Sequence, residues 1–403
     1  MNSILTGFLT LTMQGAVMKK LLKAVILSAL MVSTVFCQNA GVVWTPVKDS
    51  PFSGSKIESI VWGNNRFVAL GENGKIAYSS DGVTWTTVKG PFVVNNIAFS
   101  NGRFVANVND KDGKIAYSSD GITWTAVKSP FDSKYTGSIV WGKDKFVAWG
   151  SNEVNNKNII KIAYSSDGVT WKELKNIMSM FSHHDPYNYI HRIDWGYDQY
   201  IAMIEECIQP SGWWEDCSAG TLCSSDGISW QSCGQEIGDY SGYPVLGNNS
   251  IISFRNYAGE GHAWCYMQYS SDGKTWTEVA ENLFNDGCHC SIRSVFWNNN
   301  KFIAFGDQND ACRESMDYQF TAYSSDGKNW TSVKNNIPSY GSNIISGNNK
   351  FIVGGDGLYY SLDGITWTTV KNYPFGKSTT TKIVYGNGVF VAVSEDGKIA
   401  YSK

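Results

Sequence analysis

The sequence has few charged residues and no excess of basic ones. Only 17% of its 403 residues are Asp, Glu, Lys or Arg, and the formal net charge is −3, whereas globular proteins usually have about 25% charged residues. A chain with so little positive charge is a poor partner for phosphate backbones, so no nucleic-acid partner is predicted. The sequence has instead 42% apolar residues, including 16 Trp, 21 Tyr and 19 Phe. This composition excludes intrinsic disorder and predicts a large packed core.

Near its N-terminus the sequence also lacks an apolar run long enough to span a membrane. Ala24–Phe36 is too short, since a spanning helix needs about 20 residues. It follows the basic segment Met18–Lys23, an arrangement typical of a signal peptide. Residues 1–37 are therefore predicted to be a signal peptide with translation starting at Met18, and the mature chain to be secreted. Cys37 is either part of the signal or a lipidated residue that anchors the chain at the surface.

The rest of the sequence repeats one unit of four short β-type runs. A Ser-x-Asp-Gly turn occurs seven times, whereas the second run of the unit occurs eight times. The chain stops just before an eighth turn, at Lys398–Lys403, and Val42–Val47 resembles the run that comes after such a turn. An all-β fold is therefore expected: residues 42–403 are predicted to form one eight-bladed β-propeller of four-stranded antiparallel blades, closed by the N-terminal strand. The turn aspartates are Asp81, Asp120, Asp167, Asp226, Asp272, Asp326 and Asp363.

The repeated turn resembles that of a known family. Ser79–Trp85 reads Ser-Ser-Asp-Gly-Val-Thr-Trp and is similar to the Asp-box, or BNR, repeat of sialidases and sortilin-type receptors, with one residue fewer between Asp and Trp. The resemblance implies a structural hairpin on the face away from any active site. Turn chemistry indicates the same role, because Asp accepts backbone N–H bonds and Gly adopts a positive φ. The Trp residues, such as Trp85, Trp124 and Trp171, are expected to pack between blades.

The connections of a four-stranded meander divide between two faces. The first–second and third–fourth turns are short and alike, and we call their side the uniform face. The second–third and blade-to-blade connections differ in length, as on functional surfaces, and we call their side the variable face. All five His and all eight Cys after Cys37 fall in units four to six. The candidate ligand-binding residues there are His183, His184, Tyr187, Tyr189, His191, Trp213, Trp214, Glu215, Tyr243, Trp264 and Arg293.

Aromatic side chains beside carboxylates suit the faces and hydroxyls of sugars. We therefore predict a monomeric, non-catalytic module without a cofactor that binds carbohydrate or an extracellular protein. The aromatic residues could instead form small cores of their own within the long loops. The resemblance to sialidases leaves a divergent glycoside hydrolase as an alternative, although the sequence has only six Arg and no matching arginine motif. A purely architectural surface protein is the third alternative.

Aligning the first strand of every unit on Trp62 places eight residues at one level near the variable face. This ring is polar but irregular, which is typical of a solvated channel mouth as much as of a binding site. Its members are Glu58, Asn95, Gly137, His191, Gly242, Arg293, Ser342 and Thr381.

The cysteines of an exported chain predict disulfides. Cys223 and Cys233 replace Tyr78 and Val88 of unit one, so they are predicted to pair across one hairpin. Cys207 and Cys217 bracket a single long loop and are predicted to close it. The connectivity of Cys265, Cys288, Cys290 and Cys312 stays open. A metal site at Cys288–Cys290, or at His183–Asp185 with His191, lacks zinc-type spacing, so no metal is predicted.

Overall fold

The structure is a computed structural model whose described residues form an almost entirely β fold. Helix among them is limited to short 3-10 turns such as Glu72–Gly74, and none of them lies in a helix long and apolar enough to cross a membrane. Residues 1–39, and the predicted signal peptide with them, lie outside the described part. The described backbone comprises residues 40–89, 93–108, 113–131, 135–154, 157–175, 177, 189–196, 198–208, 216–237, 241–259, 262–272, 275–279, 289–309, 318–335 and 343–403.

Thirty-two strands follow one another along this backbone. The first is β1 (Thr45–Pro46), and the next sixteen form blades one to four. Blade one has β2 (Ile57–Gly63), β3 (Arg66–Gly71), β4 (Lys75–Ser79) and β5 (Thr86–Lys89). Blade two has β6 (Val94–Ser100), β7 (Arg103–Val108), β8 (Lys114–Ser118) and β9 (Thr125–Lys128). Blade three has β10 (Tyr135–Gly142), β11 (Lys145–Val154), β12 (Lys157–Ser165) and β13 (Lys172–Glu173). Blade four has β14 (Tyr189–Gly196), β15 (Gln199–Ile208), β16 (Asp216–Ser224) and β17 (Gln231–Ile237).

The remaining strands form the second half of the ring. Blade five has β18 (Ser241–Gly247), β19 (Ser250–Gly259), β20 (His262–Ser270) and β21 (Thr277–Val279). Blade six has β22 (His289–Asn298), β23 (Lys301–Asn309), β24 (Tyr318–Ser324) and β25 (Thr331–Asn335). Blade seven has β26 (Asn343–Gly347), β27 (Lys350–Gly354), β28 (Leu358–Ser361) and β29 (Thr368–Thr369). Blade eight has β30 (Thr380–Gly386), β31 (Val389–Ser394) and β32 (Ile399–Ser402).

The N-terminal strand completes blade eight. The strand order there is β1-β32-β31-β30, with Thr45 opposite Tyr401 and Pro46 opposite Ala400. Every blade is thus an antiparallel four-stranded meander, which confirms the predicted eight-bladed β-propeller. Pro46 lies on an outer edge strand, where a residue without an N–H group costs no ladder hydrogen bond.

The repeated turns are held by their own side chains. In the first turn, Asp81 Oδ1 accepts hydrogen bonds from the N–H groups of Val83 and Thr84, both at 2.8 Å. Ser79 Oγ donates to the same carboxylate at 2.9 Å, and Gly82 has a φ of 72°. The indole N–H of Trp85 donates to Gly82 O at 3.2 Å. The turn chemistry predicted from the sequence is therefore present. Equivalent backbone bonds occur at Asp120, Asp167, Asp226, Asp326 and Asp363.

An eighth turn is assembled from the two ends of the described chain. Gly41 N–H donates to Ser402 Oγ at 2.7 Å, as Gly82 N–H does to Ser79 Oγ in the first turn. Trp44 Nε1 donates to Gly41 O at 3.1 Å. This turn has seven residues, the same number as Ser79–Trp85: two come from the C-terminal end, Ser402 and Lys403, and five from Ala40–Trp44. Ala40 occupies the position of the turn aspartate. Ring closure therefore repeats the local geometry of the other blades.

The core lies between neighbouring blades. Phe67 on β3 is fully buried there, and its ring centroid lies 4.5 Å from that of Trp62. Trp62 in turn lies against Gly386 of blade eight, where an added Cβ would come within 2.1 Å of the indole. Only glycine allows this approach, so the glycine that ends an inner strand helps the next blade to pack. The counterparts of Phe67 in the other blades are Phe104, Phe146, Tyr200, Ile251, Phe302, Phe351 and Phe390, all of them buried.

Blades five and six are joined more closely than other neighbours in the described chain. β20 pairs in parallel with β22 through Ala263 and His289, so the two blades form one eight-stranded sheet. A disulfide connects Cys265 on β20 to Cys290 on β22, with the Cα atoms 5.5 Å apart. This bridge resolves part of the cysteine connectivity that the sequence left open.

Candidate functional site

One half of the variable face is raised above the other. In blade one, β3 ends at Gly71. In blades three to six the second strand continues three or four residues past the equivalent position, which corresponds to roughly 10–13 Å. We call the described parts of these projecting segments the extended hairpins: residues 151–154 with 157–160, 205–208 with 216–219, 256–259 with 262–265, and 307–309 with 318–319. In blades seven, eight, one and two the second strand ends at or before this level.

Part of the long connection expected to be a loop in unit four is therefore strand. Glu205–Ile208 belongs to β15, and the chain returns along β16 from Asp216. The register places Glu205 opposite Ala219 and Ile208 opposite Asp216. The variable face of blade four consequently has a regular two-stranded projection in place of most of that loop.

The structure describes only some of the predicted ligand-binding residues. The backbones of Tyr189, Tyr243 and Trp264 lie on β14, β18 and β20, all in blades four and five. Side chains are described for His191, which is exposed, and for Arg293. The other candidates lie outside the described residues: His183, His184, Tyr187, Trp213, Trp214 and Glu215.

Two aromatic residues lie opposite each other in the register of the extended hairpin of blade five. Tyr257 on β19 is paired with Trp264 on β20. This pair is two positions from the closing pair, Gly259 and His262. It therefore stands beyond the level at which β3 ends in blade one, on the part of the blade that projects from the ring.

The ring of inner-strand residues predicted from the sequence coincides with a set of β-bulges. Seven inner strands have a register shift near the variable face. Glu58, His191, Arg293 and Thr381 are each the extra residue of a bulge. A bulge leaves its extra residue out of the ladder and turns its side chain to a new direction. Regular alternation along the strand could not have predicted this geometry.

Arg293 is engaged in an ion pair within its own blade. Its Nε lies 2.5 Å from Asp307 Oδ1, and its Nη2 lies 3.0 Å from Asp307 Oδ2. Asp307 belongs to the extended hairpin of blade six. A two-point pair of this kind occupies the edge of the guanidinium that would otherwise bind a substrate carboxylate, so the geometry does not favour the sialidase-type alternative.

A second ion pair lies on the inner strand of blade four. Arg192 Nε is 2.7 Å from Asp194 Oδ2. Burial raises the pKa of the Asp194 carboxyl, and the Arg192 guanidinium opposes that rise. Sequence reasoning missed Asp194. It could have been found from the repeat, since the inner strands of the other seven blades have an apolar residue at this position: Val61, Ala98, Val140, Val245, Phe296, Ile345 and Val384.

Comparisons with known proteins agree with the propeller fold. The family described as DUF6242 beta propeller domain matches residues 26–134. The chain is a β-propeller. No curated protein matches it. The computationally designed Ika8 protein is similar to it, with a TM-score of 0.57 and 12% identity over 89% of this chain and 99% of that one.

Two further solved structures are similar at lower scores. BamB from Moraxella catarrhalis has a TM-score of 0.49 and 12% identity, covering 89% of this chain and 97% of that chain. YCF48 bound to D1 peptide has a TM-score of 0.46 and 13% identity, covering 89% and 94%. Likeness at such identities concerns the fold alone, and the function of this propeller has to be argued from its own residues.

The described cysteines lie in blades four to six. Cys223 is disulfide-bonded, and its predicted partner Cys233 has no described side chain. The backbone register places Cys207 directly opposite Cys217 on the extended hairpin of blade four, the placement that the predicted cross-strand disulfide requires. In the described part of the chain no three His, Cys, Asp or Glu side chains are grouped as metal ligands.

Proposed function

We propose that this propeller is a non-catalytic binding module whose ligand is held on the variable face of blades four to six. One observation carries the proposal: among the described strands, the second strand projects further in blades three to six than in the other four blades, so the extended hairpins form a wall along one side of the variable face. The uniform face, in contrast, is occupied by turns whose polar groups are satisfied locally. A wall beside a lower surface makes the concave shape that small ligands prefer.

Carbohydrate is the ligand class that we favour. The wall includes Tyr257 and Trp264 in register, and an aromatic ring presents a flat apolar surface on which a sugar ring can stack. The ion pairs of Arg192 and Arg293 with aspartates leave the site without a ready-made clamp for catalysis on an acidic sugar. An extracellular protein is the second candidate, because four neighbouring hairpins offer a surface wider than one sugar.

We further infer that the chain works outside the reducing cytoplasm. The disulfide between Cys265 and Cys290 joins two blades, and such bonds persist in oxidising compartments. The basic and apolar segments before Cys37 support export, either as a secreted protein or as one anchored at the cell surface.

The test is a glycan array with oxidised protein comprising residues 38–403, beside the Trp264→Ala and Leu362→Ala variants. Leu362 is a matched apolar control, since it is 70% exposed in the turn of blade seven on the uniform face. We expect saturable binding to one glycan class, weakened about tenfold or more by Trp264→Ala and unchanged by Leu362→Ala.

A blank array would overturn the carbohydrate proposal. Capture of one extracellular protein by the native chain, lost in Trp264→Ala, would then favour the second candidate. Sustained hydrolysis of glycosides by the purified protein would contradict the non-catalytic role.

A further inference from the structure

The two most exposed large apolar side chains among the described residues lie in neighbouring turns of the uniform face. Leu362 in the turn of blade seven is 70% exposed, and Val43 in the turn of blade eight is 59% exposed. Both turns adjoin β27 of blade seven, where Ser361 pairs with Phe351 and Gly41 lies against the side chain of the following residue. Leu362 and Val43 therefore belong to one edge of the uniform face, which we call the apolar edge.

Both residues of the apolar edge depart from the repeat. Isolated exposed apolar residues are common on protein surfaces, but here the other turns have polar residues at the same two positions. Turn chemistry therefore does not require Val43 or Leu362. The counterparts of Val43 are Thr84, Thr123, Thr170, Ser229, Thr275, Asn329 and Thr366, and those of Leu362 are Ser80, Ser119, Ser166, Ser225, Ser271, Ser325 and Lys403.

The apolar edge also has less free negative charge than the other turns. In the turn of blade eight, Ala40 occupies the position of the turn aspartate and Lys403 that of the second serine. In the turn of blade seven, the Asp363 carboxylate accepts hydrogen bonds from the N–H groups of Ile365 and Thr366, both at 2.8 Å. Because placing a charge in an apolar environment is costly, the loss of one carboxylate here favours an apolar partner.

The turn of blade eight is also where the chain enters the propeller. Ala40 is buried in this turn, and only two residues separate it from Cys37, the candidate for lipidation. Three residues of chain span at most about 11 Å. A lipid on Cys37 would therefore hold the uniform face, and not the variable face, against a membrane. Stable anchoring by an acyl chain usually needs a second membrane contact beside it.

We propose that the apolar edge contacts the lipid membrane surface when the chain is anchored at Cys37. Val43 and Leu362 then lie among the lipid head groups, where apolar side chains are partly removed from water. The extended hairpins, on the opposite face, point away from the membrane and toward extracellular ligands. This inference rests on the proposed anchoring at Cys37, and it concerns a different surface from the wall that binds the ligand.

The experiment measures how closely two labelled positions approach the lipid. Oxidised protein comprising residues 38–403 has an N-terminal hexahistidine tag and is bound to vesicles of phosphatidylcholine and a nickel-chelating lipid, so tethering does not require Cys37. A nitrobenzoxadiazole label is attached at Thr366→Cys, in the turn of Leu362, or at Lys377→Cys, on the variable face of the same blades. Spin-labelled phosphatidylcholine quenches the label on contact. We expect quenching at position 366 to be about threefold stronger or more than at position 377.

A double variant tests whether the apolar side chains make this contact. Val43→Thr combined with Leu362→Ser introduces the residues that other turns have at these positions. Quenching at position 366 should then fall to the level at position 377. The melting temperature should not change, because both side chains are exposed. Val333→Thr is the matched control, since Val333 is 37% exposed on β25, away from the uniform face, and it should behave like the native protein.

Three results would overturn the role of the apolar edge. Equal quenching at the two positions would show that this edge does not face the lipid, and quenching retained in the double variant would show that the tether alone sets the position. A clearly lower melting temperature of the double variant would show that the two side chains support the fold. A dimer in sedimentation that the double variant loses would assign the apolar edge to a second copy of the chain, which also contradicts the proposal.

Anchoring at Cys37 is tested separately with the full-length chain in a bacterial host. The native chain should sediment with the membranes, and Cys37→Ser should release it. Release of the native chain into the medium would contradict the anchor and remove the premise of the inference. Absence of quenching on the tethered vesicles would instead overturn the apolar edge alone.

Discussion

At the scale of single residues, the carboxylates of the turn aspartates accept hydrogen bonds from backbone N–H groups two and three residues further along the chain. Partial burial of the Asp167 carboxyl raises its pKa, but hydrogen bonds from Thr170 and Val169 outweigh this and bring the pKa down to about 2. The same balance brings the pKa of Asp226 to about 2. A carboxyl whose pKa is lower in the folded state than in the unfolded state, where it is 3.8, stabilises the fold at pH values above 3.8. This stabilisation is lost as the pH falls toward 2.

We therefore expect Asp167→Asn to destabilise the fold at neutral pH and much less in acid. Asn lacks the charge that the turn amides bind, so the loss at pH 7 should be about 1 kcal/mol once solvent screening of this exposed carboxylate is allowed for. As the pH falls from about 4 to about 2 the difference should shrink to a small fraction of its value at pH 7. Urea unfolding at pH 7 and pH 2.5 measures this. Ser166→Ala, in the same turn, is the control, and an equal loss at both pH values would contradict the prediction.

The roles of these turn residues could be predicted from the sequence because their contacts are local. Asp81, Gly82 and Trp85 interact across no more than three positions, and such contacts repeat wherever the motif repeats. The partners of Arg293 could not be predicted in this way. Asp307 is fourteen residues away, and the pair depends on a bulge in β22.

At the scale of elements, the cysteines lie on or beside the strands that form the extended hairpins. Cys207 faces Cys217 in the register of β15 and β16, whereas the bridge between Cys265 and Cys290 joins two blades. The first arrangement follows from one hairpin and was open to sequence reasoning. The second depends on the parallel pairing of β20 and β22, which belong to different blades, and no local sequence pattern predicts that pairing.

Peptide mapping of the oxidised, unreduced protein should find four cross-links. Cys265 should be joined to Cys290, Cys207 to Cys217, and Cys223 to Cys233. Cys288 and Cys312 then remain. Cys288 directly precedes β22 and Cys312 comes three residues after β23, its antiparallel partner strand, so they should form the fourth bridge. A peptide that links Cys207 or Cys217 to any other cysteine would show that the register of blade four is different. Mapping after full reduction is the control for cross-links formed during digestion.

At the scale of the whole molecule, stability depends on closing the ring. Trp44 is 6% exposed and packs in the cluster that also contains Ile352 of blade seven and Phe390 of blade eight. Its neighbour Val43 is 59% exposed. The short strand β1 is therefore anchored less by its own ladder bonds than by one large side chain between two blades.

Replacing that side chain tests ring closure directly. Trp44→Ala should cost about 3–5 kcal/mol, the usual cost of truncating a buried Trp, whereas Val43→Ala should change stability by less than about 0.5 kcal/mol. Chemical unfolding followed by tryptophan fluorescence and circular dichroism measures both. If Trp44→Ala unfolded at the same denaturant concentration as the native protein, the N-terminal strand would not be the element that closes blade eight.

The eighth turn, shared between Ser402 and Gly41, has a consequence for the order of the blades. Its residues have the length of an uninterrupted turn, so a direct peptide bond from Lys403 to Ala40 would make the backbone circular. Such a circle could be reopened at any other turn to give a permuted chain with the same neighbours in space. The neighbours of each blade in space would then be the same whichever turn was opened.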